Sequence, residues 1–441
     1  MEPRRRPDGG PNGRVSRRGV ARDSFALLVG TAANGILAYA FFALATRALG
    51  AADAAPVAQL WTLWSASAAV LTFPVQHWII RTMQADGDAA AVRAALPRVT
   101  LLISGAAAAV AAVSWLAREQ LFLTGGAIFP LLAGAVTVGA FFVGLVRGRL
   151  AGVRRFVATG AVIAAENLLR VVLAAVVIVG GGGAVGFGVA LALGGLAALA
   201  WPSAYRFSDV RDAPAATDGS PLAFLGGVAA GSLIAQLVLT GGPVVLATIG
   251  GAAEEVTALF IALALFRAPY LVTLGLVTQV TGALTNLIST GRERTLRRVR
   301  HGLAAAAVVG ALAVGALGWS LGPLLITLVF GAGTSPPRAV VAVVAAATAI
   351  ALANLVFTVL LVARGTSGAL TTNWVAAVAV GAAALVVPVP PLARVAGAFL
   401  AAEVTALALM WWTEQRAARR VGVSGPAPAP SDRDAASRRP A

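Results

Sequence analysis

Cysteine and lysine are both absent from this sequence of 441 residues, and each absence excludes a kind of chemistry. Without cysteine the chain can form no disulfide, no thiolate nucleophile and no thiolate metal site. Without lysine it has neither the phosphate-binding lysine of a Walker A loop nor a Schiff-base lysine. Its two histidines, His77 and His301, lie far apart in the sequence, so a multi-histidine metal centre is not expected.

Charge is also scarce. Only 12% of the residues are charged and 59% are hydrophobic, whereas a soluble domain has about 25% charged residues. The apolar residues occur in runs about 20 residues long, which is the length of a membrane-spanning helix. We therefore predict an all-α integral membrane protein that crosses the bilayer several times. The net charge of +16 is expected to flank the spans and not to bind nucleic acid.

Twelve apolar segments predict about twelve transmembrane helices. They cover residues 24–48, 56–80, 99–117, 124–146, 156–179, 184–203, 223–248, 256–288, 303–330, 338–363, 368–389 and 392–413. With both termini inside, 28 of the 34 arginines lie on the inner side, and only Arg47, Arg118, Arg338 and Arg394 lie on the outer side. This asymmetry is what the positive-inside rule requires, so we predict an N-in/C-in topology.

The two halves of the chain resemble each other. The stretch "RALGAADAAPVAQLW" (47–61) follows the first span and "TIGGAAEEVTALFIA" (248–262) follows the seventh, with Gly50 and Gly250 at matching positions. We predict two six-helix lobes, an N-lobe at 23–205 and a C-lobe at 222–415, joined by a cytoplasmic linker at 206–221. Basic, disordered cytoplasmic tails are expected at 1–22 and 416–441. Internal duplication of this kind is typical of transporters, whose substrate path lies between the halves.

Two opposite charges, Glu166 and Arg170, lie near the middle of the fifth predicted span. A charge at the bilayer centre costs about 2.5–3.5 kcal/mol on insertion scales, so it needs a partner or a hydrated cavity. Spacing of four residues places both on one helix face, with Glu before Arg, the better orientation for pairing. Two interpretations remain: a self-neutralising pair that locks the helix against a neighbour, or residues that line a substrate-facing cavity.

Arg267 lies in mid-span in "LALFRAPYLVTLG" and has no acid one turn away on its own helix. Pro269 follows two residues later and predicts a kink or break, because proline removes a backbone donor and clashes with the preceding turn. A cation beside a broken helix at membrane depth could bind an anionic group. The alternative is an ion pair across the bundle with Glu403 or with Glu166.

Neutral polar residues occur mainly in the spans that begin each half. Four of them are candidate supporting residues, and the same side chains could simply bond to neighbouring helices; they are Asn34, Gln236, Gln279 and Asn286. Arg47, at the outer end of the first span, is expected to extend to the membrane interface. The basic inner loops 146–156 and 291–302 could attract anionic lipid headgroups or serve only to orient the chain.

Three stretches together resemble the polysaccharide flippases of the multidrug/oligosaccharidyl-lipid/polysaccharide (MOP) superfamily. They are "ATRALGAADAAPVAQLW" after the first span, "GLVRGRLAGVRRF" followed by "AAENLLRVVLA", and "ATIGGAAEEVTALFIALALFRAPYLV" in the second half. The second stretch carries Glu166 and Arg170, and the third carries Arg267 and Pro269. Twelve spans resemble the O-antigen or capsule (Wzx) type of polysaccharide biosynthesis protein.

The resemblance implies a flippase and not an enzyme. Its cargo would be a polyprenyl-diphosphate-linked oligosaccharide, moved from the inner to the outer leaflet of the bacterial cytoplasmic membrane by alternating access. Arg267 and Arg170 would hold the diphosphate, with Glu166 setting the rotamer of Arg170. No cofactor is expected, and coupling to H⁺ or Na⁺ stays open. The implied partners are anionic membrane lipids and the polymerase and glycosyltransferases of the pathway.

Other functions remain open from the sequence. A drug or cation antiporter of the same superfamily should carry intramembrane acids in its first or seventh helix, but Asp53 and Glu254 fall in predicted outer loops. A membrane glycosyltransferase or ligase needs an extramembrane loop or domain for its carboxylates, and the predicted outer loops are short. A scaffold in a glycan-assembly complex is the third alternative.

Overall fold

The computed structural model of the chain describes residues 17–85, 89–207, 228–270, 273, 284, 287–288, 290, 292–364 and 367–423. Over these residues the fold is helical throughout, and large apolar side chains such as Leu101, Leu116 and Leu312 point outward, each more than two-thirds exposed. Such an apolar exterior is stable only in contact with lipid. The prediction of an all-α, multi-pass membrane protein is confirmed.

The first lobe contains six spans, which we number in chain order. Span 1 is Arg17–Asp53; span 2 is Ala55–Ser67, a π-helical turn at Ala68–Thr72, and Phe73–Ala85; span 3 is Ala89–Leu116; span 4 is Ile128–Gly152; span 5 is Phe156–Val179; span 6 is Ala184–Leu193, continued as a 3₁₀ helix over Gly194–Ala200. Short helices at Arg118–Leu121 and Pro202–Tyr205 follow spans 3 and 6. Span 1 turns at Gly50, which is not helical.

The second lobe repeats this order. Span 7 is Val228–Thr240 and Gly242–Thr248; span 8 begins with Ala253–Phe266; span 9 is Glu293–Ser320, followed by the helix Gly322–Phe330; span 10 is Arg338–Ala363; span 11 is Ser367–Ala384; span 12 is Pro391–Val423. Among the described residues, seven helices are long and apolar enough to cross a membrane unbroken. The remaining five crossings are interrupted or shorter: span 2 has a π turn, span 6 a 3₁₀ stretch, span 7 a break at Gly241 and span 8 a turn at Arg267, while span 11 is a shorter helix.

The packing within the lobes follows the same scheme twice. Span 1 packs on span 5 and span 7 packs on span 11, while spans 3 and 4 form a pair, as do spans 9 and 10. The turns that lead into spans 2 and 8 also match, because Gly50 and Gly250 both have positive φ, +80° and +87°. Glycine adopts this conformation without steric cost. The prediction of two six-helix lobes is confirmed.

Two predicted boundaries differ from the structure. Span 1 begins at Arg17, earlier than residue 23, and span 12 continues to Val423, beyond residue 415. Both extensions are rich in Arg and Ala, which favour helix, so the helix can leave the membrane without ending. Residues 1–16, 208–227 and 424–441 lie outside the described residues, so the predictions of disordered tails and of a linker at 206–221 stay predictions.

Spans 1 and 5 approach each other closely at two glycines. A Cβ added to Gly160 would lie 2.6 Å from the carbonyl oxygen of Ala26, and a Cβ on Gly30 would overlap with the backbone of Gly160. Small residues at such crossings let two backbones pack in contact, which drives helix association where no hydrophobic force acts. The first lobe therefore depends on these glycines for its tightest helix pair.

We predict that Gly160→Ala destabilises the protein, because the new methyl group meets backbone that cannot rotate away. Overpacking costs about 1–3 kcal/mol, which should lower the thermal unfolding temperature in detergent by several degrees. Gly105→Ala is the matched control, since a Cβ there meets nothing within 4 Å. Equal unfolding temperatures for the two variants would contradict the close packing of spans 1 and 5.

Candidate functional site

The charged pair of span 5 forms. The Arg170 Nη2 donates to Glu166 Oε1 at 2.6 Å, one helical turn away. Both side chains are buried, with Arg170 only 1% exposed. The remaining donors of the guanidinium are also used, since Nε bonds to the carbonyl of Leu191 at 3.0 Å and Nη1 bonds to Asn167 Oδ1 at 2.7 Å.

Tryptophans of span 2 close over this pair. The Arg170 guanidinium lies 4.1 Å from the ring centre of Trp64 and 5.5 Å from that of Trp61, both in cation–π contact. The indole of Trp64 also donates to Glu166 Oε1 at 3.0 Å. We call Trp61, Trp64, Glu166, Asn167 and Arg170 the N-lobe charge cluster. It joins spans 2, 5 and 6 within one lobe.

A glycine of span 6 makes room for the guanidinium. A Cβ at Gly194 would overlap with the Nε and Cγ of Arg170. Span 6 changes from α to 3₁₀ geometry at this residue, next to the Leu191 carbonyl that Arg170 binds. The local break in the helix and the missing side chain together seat the cation inside the lobe.

Arg170 is therefore enclosed within helix contacts in this conformation. The pairing with Glu166 that the spacing predicted is confirmed. In the other interpretation, Arg170 faces a cavity and binds substrate directly. The geometry does not show this, because each guanidinium nitrogen bonds to a group of the lobe itself and the rings of Trp61 and Trp64 lie against the guanidinium. A buried pair in which every guanidinium nitrogen has a bond is best understood as a rigid structural element of the N-lobe.

Span 8 breaks where the proline predicted. Its first helix ends at Phe266, Arg267 occupies a turn, and a short helical stretch resumes at 268–270. Pro269 has no N–H with which to bond the Leu265 carbonyl four residues earlier. That carbonyl and the one of Ala264 instead accept from the Tyr39 hydroxyl of span 1, in the other lobe, the Leu265 bond being 3.4 Å long.

The Arg267 side chain lies between the two lobes. It lines a small cavity of about 10 Å³ together with residues of spans 2, 7 and 8: Thr62, Ser65, Thr240, Phe260, Leu263 and Ala264. This is room for about one water molecule. The Nε of Arg267 is buried and has no hydrogen-bond partner. Tyr39 and Tyr270 are its nearest electrostatic neighbours.

Neither alternative ion pair of Arg267 forms. Glu166 pairs with Arg170, and Glu403 accepts a bond from Asn354 Nδ2 at 2.7 Å inside the C-lobe. Over the part of the chain that the structure describes, no carboxylate lies within 4.0 Å of the Arg267 guanidinium. An incompletely bonded cation at the interface of two lobes is a ready site for an anionic group.

The predicted supporting residues divide between the two sites. Asn34 accepts from Asn167 Nδ2 at 2.9 Å and so joins the N-lobe charge cluster. Gln236 donates to the Tyr270 hydroxyl at 2.9 Å, next to Pro269 and close to Arg267. Gln279 and Asn286 lie outside the described residues. Their roles stay predictions.

Three further side chains of the first lobe bond across to backbone carbonyls of the second. Thr46 Oγ1 donates to the carbonyl of Phe330 at 2.8 Å, and Gln59 Nε2 donates to that of Pro243 at 2.8 Å. Arg47 donates to the carbonyls of Leu328 and Val329, the latter at 3.0 Å. The expectation that Arg47 extends to the membrane interface stays a prediction, and the structure adds that this exposed side chain binds the free carbonyls at the end of the helix Gly322–Phe330.

Sequence reasoning missed several residues of these sites: Tyr39, Thr46, Trp64, Asn167 and Tyr270. For Asn167 a signal existed, since a buried arginine has five donors and a single carboxylate cannot satisfy them all. For Tyr39 the predicted break at Pro269 implied a carbonyl in need of a donor. Nothing in the sequence says which donor, 225 residues away, reaches it.

Solved structures share this fold. Similar structures include an inward-facing multidrug resistance MATE family transporter of the MOP superfamily, with a TM-score of 0.62 at 16% identity over 92% of this chain and 100% of the other. The outward-facing form gives 0.58 at 16% identity over 92% and 96%. A MOP superfamily transporter from Pyrococcus furiosus gives 0.56 at 16% identity over 90% and 95%. No protein-family model and no curated protein sequence matches the chain.

We predict that Arg170→Met alone destabilises the protein more than the double variant Glu166→Gln with Arg170→Met. Removal of one partner leaves a buried, uncompensated carboxylate, which costs about 3–5 kcal/mol, whereas the double variant leaves neutral groups of similar size. Thermal unfolding of the three proteins in one detergent measures the difference. A double variant no more stable than the single one would show that the pair does not neutralise itself within the lobe.

Proposed function

We propose that this chain is a membrane transporter that works by alternating access and carries a polyprenyl-diphosphate-linked oligosaccharide across a bacterial cytoplasmic membrane. One observation supports this most strongly. The incompletely bonded cation Arg267 lies at the interface of two lobes that are closed against each other in one half of the molecule. A cation in that place can meet an anionic group when the lobes separate.

The closed half is the one that holds the predicted outer loops. The hydrogen bonds that the described residues make between lobes come from Tyr39, Thr46, Arg47 and Gln59, and Gly331 packs against Arg47. Rings of both lobes interlock beside them, with the Phe42 and Phe260 centres 4.3 Å apart. With the topology that the arginines predict, this conformation is closed on the outer side.

The charge at the interface favours an anionic cargo. Three acids of the membrane-spanning segments, Glu166, Glu403 and Glu414, are all buried within their own lobes, whereas Arg267 reaches the interface. A diphosphate cannot cross hydrocarbon unaided, and a guanidinium at the interface can bind it once the lobes separate, while the polyprenyl tail stays in lipid. This agrees with the resemblance of the three sequence stretches to polysaccharide flippases.

We assign the diphosphate to Arg267 and give Arg170 an indirect role. Arg170 holds Trp64 and Glu166 in place, and Trp64 lies on span 2, one residue from the cavity-lining Ser65. The N-lobe charge cluster would thus fix the wall that faces Arg267 across the interface. The cavity of about 10 Å³ is too small for a phosphate, so cargo binding requires that the lobes move apart.

A drug or cation antiporter is the rival with the same fold, since the MATE structures similar to this chain are multidrug transporters. Binding of cationic drugs favours a carboxylate in the cargo site. Among the described residues, the charged group at the interface cavity is instead an arginine, Arg267. Within this fold the charge of the site varies, because the Pyrococcus furiosus transporter is itself described by the reverse polarity of its binding pocket.

Measurable sugar transfer by the purified protein would establish the remaining rival, a glycosyltransferase or ligase.

We predict that Arg267→Ala abolishes transport of a polyprenyl-diphosphate-linked oligosaccharide in proteoliposomes that contain this chain alone, and that Arg267→Lys restores part of it. The reason is loss of the only described cation at the interface cavity. Arg338→Ala is the control, because Arg338 is exposed at the start of span 10. Wild-type transport by correctly inserted Arg267→Ala would refute the assignment, and drug uptake without glycan transport would favour the antiporter.

We predict that Arg47→Ala together with Thr46→Val opens the outer side, because both substitutions remove bonds that hold the end of the helix Gly322–Phe330. The chain contains no cysteine, so Ala48→Cys with Ala332→Cys allows selective spin labelling of two exposed sites in opposite lobes. Double electron–electron resonance should then show a longer distance between the two spin labels than in the protein that carries only the two cysteine substitutions. The same distance distribution in both proteins would mean that these bonds do not hold the lobes closed, and Arg338→Ala again serves as control.

A further inference from the structure

A second cavity lies at the opposite end of the C-lobe from the interlobe contacts, between the beginning of span 9 and the end of span 12. Its volume is about 450 Å³, within the range of small-ligand sites. The polar residues that line it are Glu293, Arg297, Arg300, His301, Gln415 and Arg419. The lining thus combines three arginines and a histidine with a single acid.

That acid is already neutralised. Glu293 pairs with Arg364 of span 10 at 3.0 Å, and Arg364 also bonds to Glu414 at 2.8 Å. Arg300 pairs with Glu414 at 2.5 Å. The floor of the cavity is therefore a chain of internal ion pairs. Arg297 is exposed and, like Arg419, makes none of the ion pairs found over the described ranges, so the cavity keeps a positive charge.

A buried donor in the cavity wall lacks a partner. Arg300 is 7% exposed, and its Nε has no hydrogen-bond acceptor. The indole N–H of Trp411, whose ring lies 6.5 Å from that of His301, is also buried without an acceptor. An unsatisfied buried donor costs about 1–3 kcal/mol, so both groups favour a ligand that accepts hydrogen bonds. Phosphate oxygens, which arginine binds in two-pronged fashion, meet this need.

Above the cavity span 9 is apolar and mostly unburied, and span 12 exposes Val404 and Trp412. Only 11% of the apolar window of span 9 is buried, and Val308, Val309 and Leu312 are more than half exposed. At 1.5 Å per residue they lie about 10–16 Å from His301 along the helix, at the depth of acyl chains. On span 12, Trp412 is stacked against Arg416, a pairing typical of the membrane–water boundary. The cavity is thus open to lipid and not only to water.

We propose that this cavity is a binding site for the phosphate headgroup of an anionic phospholipid, with the acyl chains lying along spans 9 and 12. Arg297, Arg300 and Arg419 bind the phosphate, and His301 lies at its edge. Basic pockets between transmembrane helices on the cytoplasmic side bind such headgroups in general. The site is separate from Arg267 and takes a structural lipid, not the transported cargo.

The test is a binding titration of the purified full-length protein in a neutral detergent with dioctanoyl phosphatidylglycerol, followed by native mass spectrometry. We expect saturable binding that is weakened about 25-fold in Arg297→Ala with Arg419→Ala, from about fivefold for each arginine near a phosphate surface. Arg93→Ala with Arg98→Ala is the matched control. It removes two exposed arginines from the corresponding span 3 of the other lobe, and neither of them lines this cavity.

Each arm of the experiment supports or overturns the proposal. Retention of binding by the control, its loss in the cavity variant and no binding of dioctanoyl phosphatidylcholine would support it. Equal weakening in both double variants would show diffuse surface charge and overturn it. Inorganic phosphate that binds as tightly as the lipid and displaces it would show a site for a free phosphate and also overturn it. Identical size-exclusion profiles of the three proteins confirm that the variants are folded.

Discussion

The hydroxyl of Tyr39 in one lobe bonds to backbone carbonyls that a broken helix in the other lobe leaves free. Pro269 cannot donate to the Leu265 carbonyl, and in hydrocarbon no water replaces the missing N–H. The end of the helix Gly322–Phe330 poses the same problem, which Thr46 and Arg47 solve. In each case the donor is a side chain of the first lobe and the acceptor is main chain of the second. Breaks in the C-lobe helices thus become the means by which the lobes close.

This arrangement gives an interface that holds and yet can open. Each neutral hydrogen bond contributes about 0.5–1.5 kcal/mol net, and water that enters an opening cleft can take the place of the lost partner. The N-lobe charge cluster is different, because Glu166 and Arg170 are buried among groups of their own lobe and cannot separate without leaving a bare charge in the bilayer. Rigid lobes with a reversible contact between them are what a rocking mechanism needs.

Much of the fold follows from the sequence for simple physical reasons. Apolar length fixes the existence of a span, and the arginine asymmetry fixes the count, since one missed helix would have scattered the arginines over both sides. The pairing of Glu166 with Arg170 and the break at Pro269 depend only on local helix geometry, so they too could be predicted. The helix ends at Arg17 and Val423 could not, because a helix with good formers continues past the lipid boundary with no apolar signal to mark its end.

The sequence could not show which residues far apart along the chain contact each other in the fold. Arg267 is the residue for which this has the largest consequence. Neither of the two carboxylates that the sequence offered as partners reaches it, since Glu166 pairs with Arg170 and Glu403 accepts a hydrogen bond from Asn354 inside the C-lobe. The ion pairs inside each lobe therefore determine the charge left between the lobes. The Arg267 guanidinium, next to the helix break, thus has a buried Nε without an acceptor at the interface of the lobes. Under the proposed function, the free energy of binding to this guanidinium is what an anionic cargo would contribute toward opening the lobes.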